Sequence, residues 1–348
     1  ARLAELGGED EDGPHLYQRI KLAAYEQQAV DRTQGPIGVV TIAGEIVDGK
    51  AGPGRAGAET IVRALEKGLA TKNLKALVVR VDSPGGSALA SEQIRQSLLA
   101  AKAKKIPVVV SMGSVAASGG YWVTTPGNYV FAEPSTITGS IGVFGVLPSF
   151  EGTLTKLGLG ADGIKTTPLS GEPDLLKGPS DAADALIQAG VEQVYRKFLT
   201  IVAEARRKSP AEVDRIGQGR VWDGGSARQL GLVDGFGGMD EAIAKAAELA
   251  KLGEEERGLT YLEEEPDFAD RLLSSFAGQE EAEDAPADAL AFLSPAPESL
   301  PARAIAEARS ILNGPTIQVR CLECPPVGAA PRLTSQDRGW LARLLGWG

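Results

Sequence analysis

Two hydrophobic rhythms run through the first 250 residues. Short unbroken apolar runs occur at 36–42 (Pro-Ile-Gly-Val-Val-Thr-Ile), 75–81 and 106–111. They lack the alternation of a half-exposed strand and predict buried parallel strands. Between them the period changes. Residues 58–71 place Ile61, Leu65 and Leu69 four apart, and residues 88–104 carry Leu89, Ile94, Leu98 and Leu99 toward the interior. Both predict helices, the second with Lys102, Lys104 and Lys105 where a helix dipole favours cations. Strand, helix, strand in this order predicts a parallel α/β core. Further on, short strands are expected at 128–132 and 163–167, and a short helix at 149–158. A long helix is expected over about 180–207, with Leu186, Val191, Val194, Phe198, Leu199 and Val202 on its apolar side. Ser209-Pro210 caps another helix. A turn at 219–224 and helices at 225–230 and 239–252 complete the unit. Residues 168–179 read as a loop that moves or orders on assembly.

Two of the apolar strands empty into small residues. One leads through Ser111-Met112-Gly113-Ser114-Val115-Ala116-Ala117 to Ser118-Gly119-Gly120, the other into Asp82-Ser83-Pro84-Gly85-Gly86-Ser87. Such endings let a ligand approach the backbone closely. Ser118 is the candidate nucleophile. Parallel strands ending side by side in glycines offer N–H groups to an oxyanion. A helix from Gly119 to Thr125, stopped by Pro126, would put Ser118 at its N-terminus.

Composition narrows the chemistry. The net charge of −10 over 348 residues argues against nucleic acid as a partner. No apolar run approaches the length of a membrane span, and the first ten residues lack the order of a signal peptide. Without an initiator Met the chain reads as a fragment or a processed product. The Gly-rich stretch at 48–57 lacks the spacing of a phosphate-binding loop. Cys321 and Cys324 stand alone in Cys-Leu-Glu-Cys. Zinc would need two more ligands, so a local disulfide or a free thiol pair is expected, with no metal and no cofactor. The one histidine, His15, lies in a polar, linker-like stretch. A Ser-His-Asp triad is therefore not expected, and Lys is the usual substitute base. Residues 1–34 read as a connector, weakly helical from Leu16 to Tyr25. Residues 35–252 read as the folded domain. Residues 253–348 read as an acidic, Ala/Pro-rich extension, partly helical or disordered, ending in the Cys segment.

The motifs resemble one family. Asp82–Ser87, Met112–Trp122 and Thr138-Gly139-Ser140-Ile141-Gly142 are similar, in order and spacing, to peptidase family S49, the signal peptide peptidase A (SppA) type. Gly219-Arg220-Val221-Trp222 and Gly231-Leu232-Val233-Asp234 extend the likeness over about 36–252. The resemblance implies a ClpP/crotonase-like fold and a serine endopeptidase with a Ser-Lys dyad that degrades cleaved signal peptides. It puts the nucleophile on Ser118, the oxyanion donors on the amides of Gly85 or Gly86 and Gly119, and the serine that orients the base on Ser140. Val115, Tyr121, Ile141, Val143 and Phe144 are the expected apolar pocket. Single-domain members carry the Lys in a Ser-Gly-x-x-Lys-Asp stretch, but here Ser170-Gly171-Glu172-Pro173-Asp174 stands at that place. Lys165 and Lys177 flank it without matching. The chain thus resembles the C-terminal half of the two-domain type, its base supplied by an N-terminal half absent from this chain. A homotetrameric ring on the periplasmic side of the bacterial inner membrane, with membrane contact through a missing N-terminal segment, is also implied. Two other classes fit the same glycine pattern: a crotonase-type CoA hydratase or isomerase, and a non-catalytic assembly module.

Overall fold

The computed structural model describes residues 35–52, 54–263 and 317–320. The expectations for residues 1–34, His15, Cys321 and Cys324, and most of the C-terminal extension lie outside these.

The predicted apolar runs are strands at the centre of the molecule. β1 (Ile37–Ala43) lies beside β4 (Ala76–Ser83), and β4 beside β6 (Val108–Ala117), all parallel. β1 is followed by two short strands, β2 (Glu45–Val47) and β3 (Arg55–Gly57), within and beside the stretch read as a Gly-rich loop. Ile37, Val78, Val79 and Val110 are wholly buried because helices cover both faces of the sheet. On one face lie α1 (Ala58–Thr71), α2 (Ala88–Ala103) and the C-terminal part of α5 (Asp181–Arg206). On the other, α8 (Met239–Ala250) packs Ala242, Ala246 and Ala247 against Ile37, Val78 and Val109. The fold is α/β with a parallel-dominated sheet, as the strand–helix alternation predicts.

The main sheet runs in the order β10 (Val221–Asp223), β8 (Ile137–Gly139), β6, β4, β1, β12 (Leu259–Tyr261); β7 (Tyr129–Ala132) branches from β6 and carries β11 (Gly235–Phe236) on its other side. β12 (Leu259–Tyr261) adds parallel to β1, so the sheet takes its outer strand from residues the sequence places in the extension. The stretch expected to be a turn at 219–224 contains β10 (Val221–Asp223), antiparallel to β8 (Ile137–Gly139). Its three residues are too few for periodicity to reveal. No strand forms at 163–167; Ile164 there is fully exposed. The helix expected at 149–158 is the shorter α4 (Glu151–Lys156). Leu89 and Leu186, expected inward, are more than 60 % exposed, in the first turn of α2 and the second turn of α5. After α5 come α6 (Pro210–Ile216), closed by a Ser209–Glu212 capping box, and α7 (Gly224–Gln229).

Candidate active site

The site is made by a break in register. Val81 pairs with Met112, but the next partner of β4, Ser83, pairs with Ala116. β6 therefore carries extra residues, Gly113 and Ser114, where β4 does not. Asp82 bridges this bulge: its Oδ1 accepts the Val115 amide at 3.0 Å. A side chain at Gly113 would meet the Asp82 carboxylate carbon at 2.7 Å. The bulge also changes the neighbour of β6. Val109–Ser111 pair with β7, and Val115–Ala117 pair with β8. β6 thus delivers Ser118 beside Gly139, whose carbonyl accepts the Ser118 amide at 2.8 Å.

Ser118 is bent and enclosed. Its φ of 56° and ψ of −118° are strained for a residue with a β-carbon. It is wholly buried, and its Oγ has no hydrogen-bond partner among the described residues. A buried hydroxyl left unpaired costs about 1–3 kcal/mol, so fold stability is spent on holding it there. The helix that follows, α3, spans only Gly119–Trp122 before turns lead to Pro126. It is shorter than expected because Val123 and Thr125 already lie in turns, and one turn sums few peptide dipoles.

Side chains on both sides fix α3. Tyr121 Oη donates to the Leu232 carbonyl at 2.7 Å and accepts from Arg206 Nε at 3.1 Å. Trp122 Nε1 donates to Glu92 Oε2 at 2.8 Å, and the indole lies 4.6 Å from the Phe198 ring. Glu92 also binds Arg95, Gln96 and Lys197. Burial pushes its carboxyl up, but these donors outweigh that and hold it at about 2. Neither Glu92 nor Arg206 carried a motif in the sequence; both act through residues next to the nucleophile.

The glycine strand β5 (Gly85–Ser87) packs against α3. Gly85 has a φ of 96° and Gly86 of 151°. A β-carbon on Gly86 would lie 2.0 Å from the Ile46 carbonyl oxygen, so only glycine fits. The Gly85 amide donates to Ser83 Oγ at 3.1 Å. Of the three candidate oxyanion donors, Gly85 is thus engaged with Ser83, and Gly86 lies in the ladder opposite Ile46. Ser87 caps α2, accepting the Ala90 amide at 3.2 Å.

Ser140 follows Gly139 at a φ of 48°, its amide bonded to the Arg220 carbonyl at 2.7 Å. It opens onto a cavity of about 410 Å³ bounded by Val143, Phe144 and, from α5, Val191, Glu192 and Tyr195. Of the residues read as an apolar pocket, Val143 and Phe144 line this cavity, and Tyr121 and Ile141 are wholly buried in the main core. Val115 packs with Ala117, Ile137 and Val221 in a separate small cluster. Apolar residues before Ser118 alternate in direction along β6, Ala116 facing the main core and Val115 and Ala117 the small cluster.

The flanking lysines point elsewhere. Lys165 Nζ binds Glu172 at 2.7 Å and Lys177 Nζ binds Asp162 at 3.2 Å. The bond to Glu172 pushes the Lys165 amine up, opposite to what a general base requires. Among the described residues no cluster could hold a metal ion.

The model of peptidase family S49 matches residues 100–253. A "Putative protease" of Synechocystis sp. is 34% identical over 218 residues, covering 62% of this chain and 76% of that protein. The chain belongs to peptidase family S49. Among its S49 relatives are Protease 4 of Salmonella typhi, 44% identical over 262 residues, and Protease 4 of Haemophilus influenzae, 41% identical over 253. These alignments cover 75% and 71% of this chain but only 42% and 41% of the relatives. The S49 chain thus spans less than half the length of those two proteins.

Proposed function

We propose that this chain is the nucleophile-bearing part of a serine endopeptidase that cleaves apolar peptides, signal peptides after their release among them. One observation carries the reading: Ser118 is held at positive φ, buried, with no partner for its hydroxyl, between a glycine strand and Ser140. A fold bears such a cost where chemistry uses it. A thioester hydratase needs the paired amides but has no use for this hydroxyl, and the family match names peptidases.

Ser118 Oγ attacks the carbonyl carbon of the scissile amide while a Lys amine removes its proton. The oxyanion is held by the Gly86 and Gly119 amides. The Lys passes its proton to the departing amine, leaving an acyl ester on Ser118. Water, deprotonated by the same Lys, then attacks that ester, the acyl C–Oγ bond breaks, and the Lys returns the proton to Ser118 Oγ. The Lys comes from an N-terminal half outside this chain and reaches Ser140 through the cavity. A free Lys titrates near 10.4, and burial beside uncharged groups lowers it toward neutrality. Buried Ser83, Thr138 and Ser140 supply such surroundings.

Assembly belongs to the same proposal. Between Phe150 and Leu186 eight large apolar side chains are exposed, Ile164 completely. Patches of this kind mark protein interfaces, and a tetramer of the two-domain protein on the periplasmic side of the inner membrane would cover them. The test is labelling by a fluorophosphonate in the protein that includes the N-terminal half. Label is expected on Ser118 and is lost in Ser118→Ala together with peptide cleavage. Cleavage at the parent rate by Ser118→Ala would overturn the reading.

A further inference from the structure

Ser140 opens the irregular link between β8 and β9 (Phe144–Gly145), just past Gly139, where both ladders of β8 end. Its left-handed backbone is held instead by the turn at 217–220. The Ser140 amide donates to the Arg220 carbonyl at 2.7 Å, and the Gly219 amide donates to the Ile141 carbonyl at 2.9 Å. The two segments also touch: a β-carbon on Gly142 would lie 2.7 Å from Gly219 Cα. A shift of the turn therefore carries Ser140 with it.

The turn needs support of its own. Gln218 and Gly219 have φ of 57° and 77°, and Gln218 carries a β-carbon that disfavours this conformation. Tyr195, from α5, supplies the support. Its hydroxyl accepts the Gln218 amide at 3.0 Å and donates to Asp214 Oδ1, on α6, at 2.7 Å. Burial, and after it the bond to Asp214, pushes the phenol up to about 12, so the donated proton stays in place near neutrality. A β-carbon on Gly217 would lie 3.3 Å from this hydroxyl and 3.2 Å from the Ile141 carbonyl oxygen. Phenol, turn and Ser140 segment thus meet at one point, and Tyr195 lines the cavity onto which Ser140 opens.

We propose that Tyr195 is the positioning residue for Ser140: through Asp214, Gln218 and the Arg220 carbonyl it sets where the Ser140 hydroxyl meets the Lys amine. The proposal rests on reading Ser118 and Ser140 as parts of a peptidase site. Tyr195 transfers no proton itself, because its proton is committed to Asp214. Its effect falls on the rate of the chemical step, where small misplacements of a base are costly.

The test uses the protein with its N-terminal half and a fluorogenic apolar peptide. Tyr195→Phe keeps the ring beside the cavity and deletes both hydrogen bonds. It is expected to lower kcat about tenfold, with KM changed by less than about twofold. Asp214→Asn, which keeps an acceptor for the phenol, is expected to recover most of the rate that Asp214→Leu loses. In the residual turnover of a Ser140→Ala background, Tyr195→Phe is expected to cost nothing further, since the hydroxyl it positions is gone. Hydrogen exchange, read by mass spectrometry, reports the linkage without turnover. Exchange over 138–142 is expected to be about tenfold faster in Tyr195→Phe, with β4 unchanged. A rise in KM alone, an equal loss of kcat in the Ser140→Ala background, or unchanged exchange over 138–142 would overturn the proposal, while fluorophosphonate labelling of Ser118 kept the peptidase reading. A parent protein that neither labels nor cleaves would overturn the peptidase reading and this one with it.

Discussion

Arg206 donates from Nε to the hydroxyl of Tyr121 at 3.1 Å, three residues beyond Ser118. The guanidinium also binds Asp234 at 2.9 Å, and its side chain is 6% exposed. One arginine thus ties the turn after the nucleophile to the end of α5 and to the segment carrying Leu232. Arg206→Met is expected to lower unfolding free energy by about 2 kcal/mol, because Asp234 is partly solvated and recovers water when its partner goes. Denaturant midpoints measure this; an unchanged midpoint would show that Arg206 does not hold α3.

Glu92 makes the matching link on the other side of α3. Its carboxyl is held at about 2, below the ordinary 4.5. A depressed folded value stabilises fully above the unfolded one, and that stabilisation is lost as pH falls from about 4.5 toward 2. Glu92→Gln is expected to flatten the fall of stability across this window while leaving tyrosine and tryptophan packing intact. Thermal melts at steps between pH 5 and 2.5 decide it; parallel curves for parent and variant would remove Glu92 from the account.

At Ser118 function and stability are expected to move in opposite directions. Ser118→Ala removes an unpaired buried hydroxyl and is expected to raise stability by up to about 1 kcal/mol while abolishing cleavage. Ser118→Gly also relieves the positive φ and is expected to gain about 1 kcal/mol more. Calorimetry on both variants checks the order; a loss of stability in Ser118→Gly would mean the strain is not there.

Gly86→Ala drives a methyl to within 2.0 Å of the Ile46 carbonyl oxygen. The strand must shift, at a cost of about 3 kcal/mol. Fluorophosphonate labelling is expected to fall with it, whereas Gly52→Ala, with open space around it, serves as the control. Equal labelling of the two variants would separate the glycine strand from the site.

Much of this was legible in the chain. Buried parallel strands announce themselves as unbroken apolar runs, and Val78, Val109 and Val110 are buried as those runs require. The crowding of Gly86, Gly113 and Gly120 also left a trace, because each sits where a β-carbon would meet a neighbour at under 3.0 Å. What escaped depends on long-range partners. β10 is three residues whose only strand signal is its pairing with β8. Tyr121 reads as a pocket residue until Arg206 and Leu232 claim its hydroxyl. Leu186 fits a helical apolar stripe, yet it is 63% exposed while Ala183 on the same helix is buried. Lys165 and Lys177 read as neighbours of the motif until Glu172 and Asp162 claim their amines.

The pairing of Ile37 with Leu259 sets a timetable. During synthesis β1 emerges before its outer neighbour, which is made more than two hundred residues later. Until then one edge of the central sheet carries unsatisfied amides and carbonyls, open to any passing strand. Closure across so long a loop is slow, so the nascent chain faces its greatest risk of aggregation on the ribosome, before the last β-strand of the main sheet has emerged.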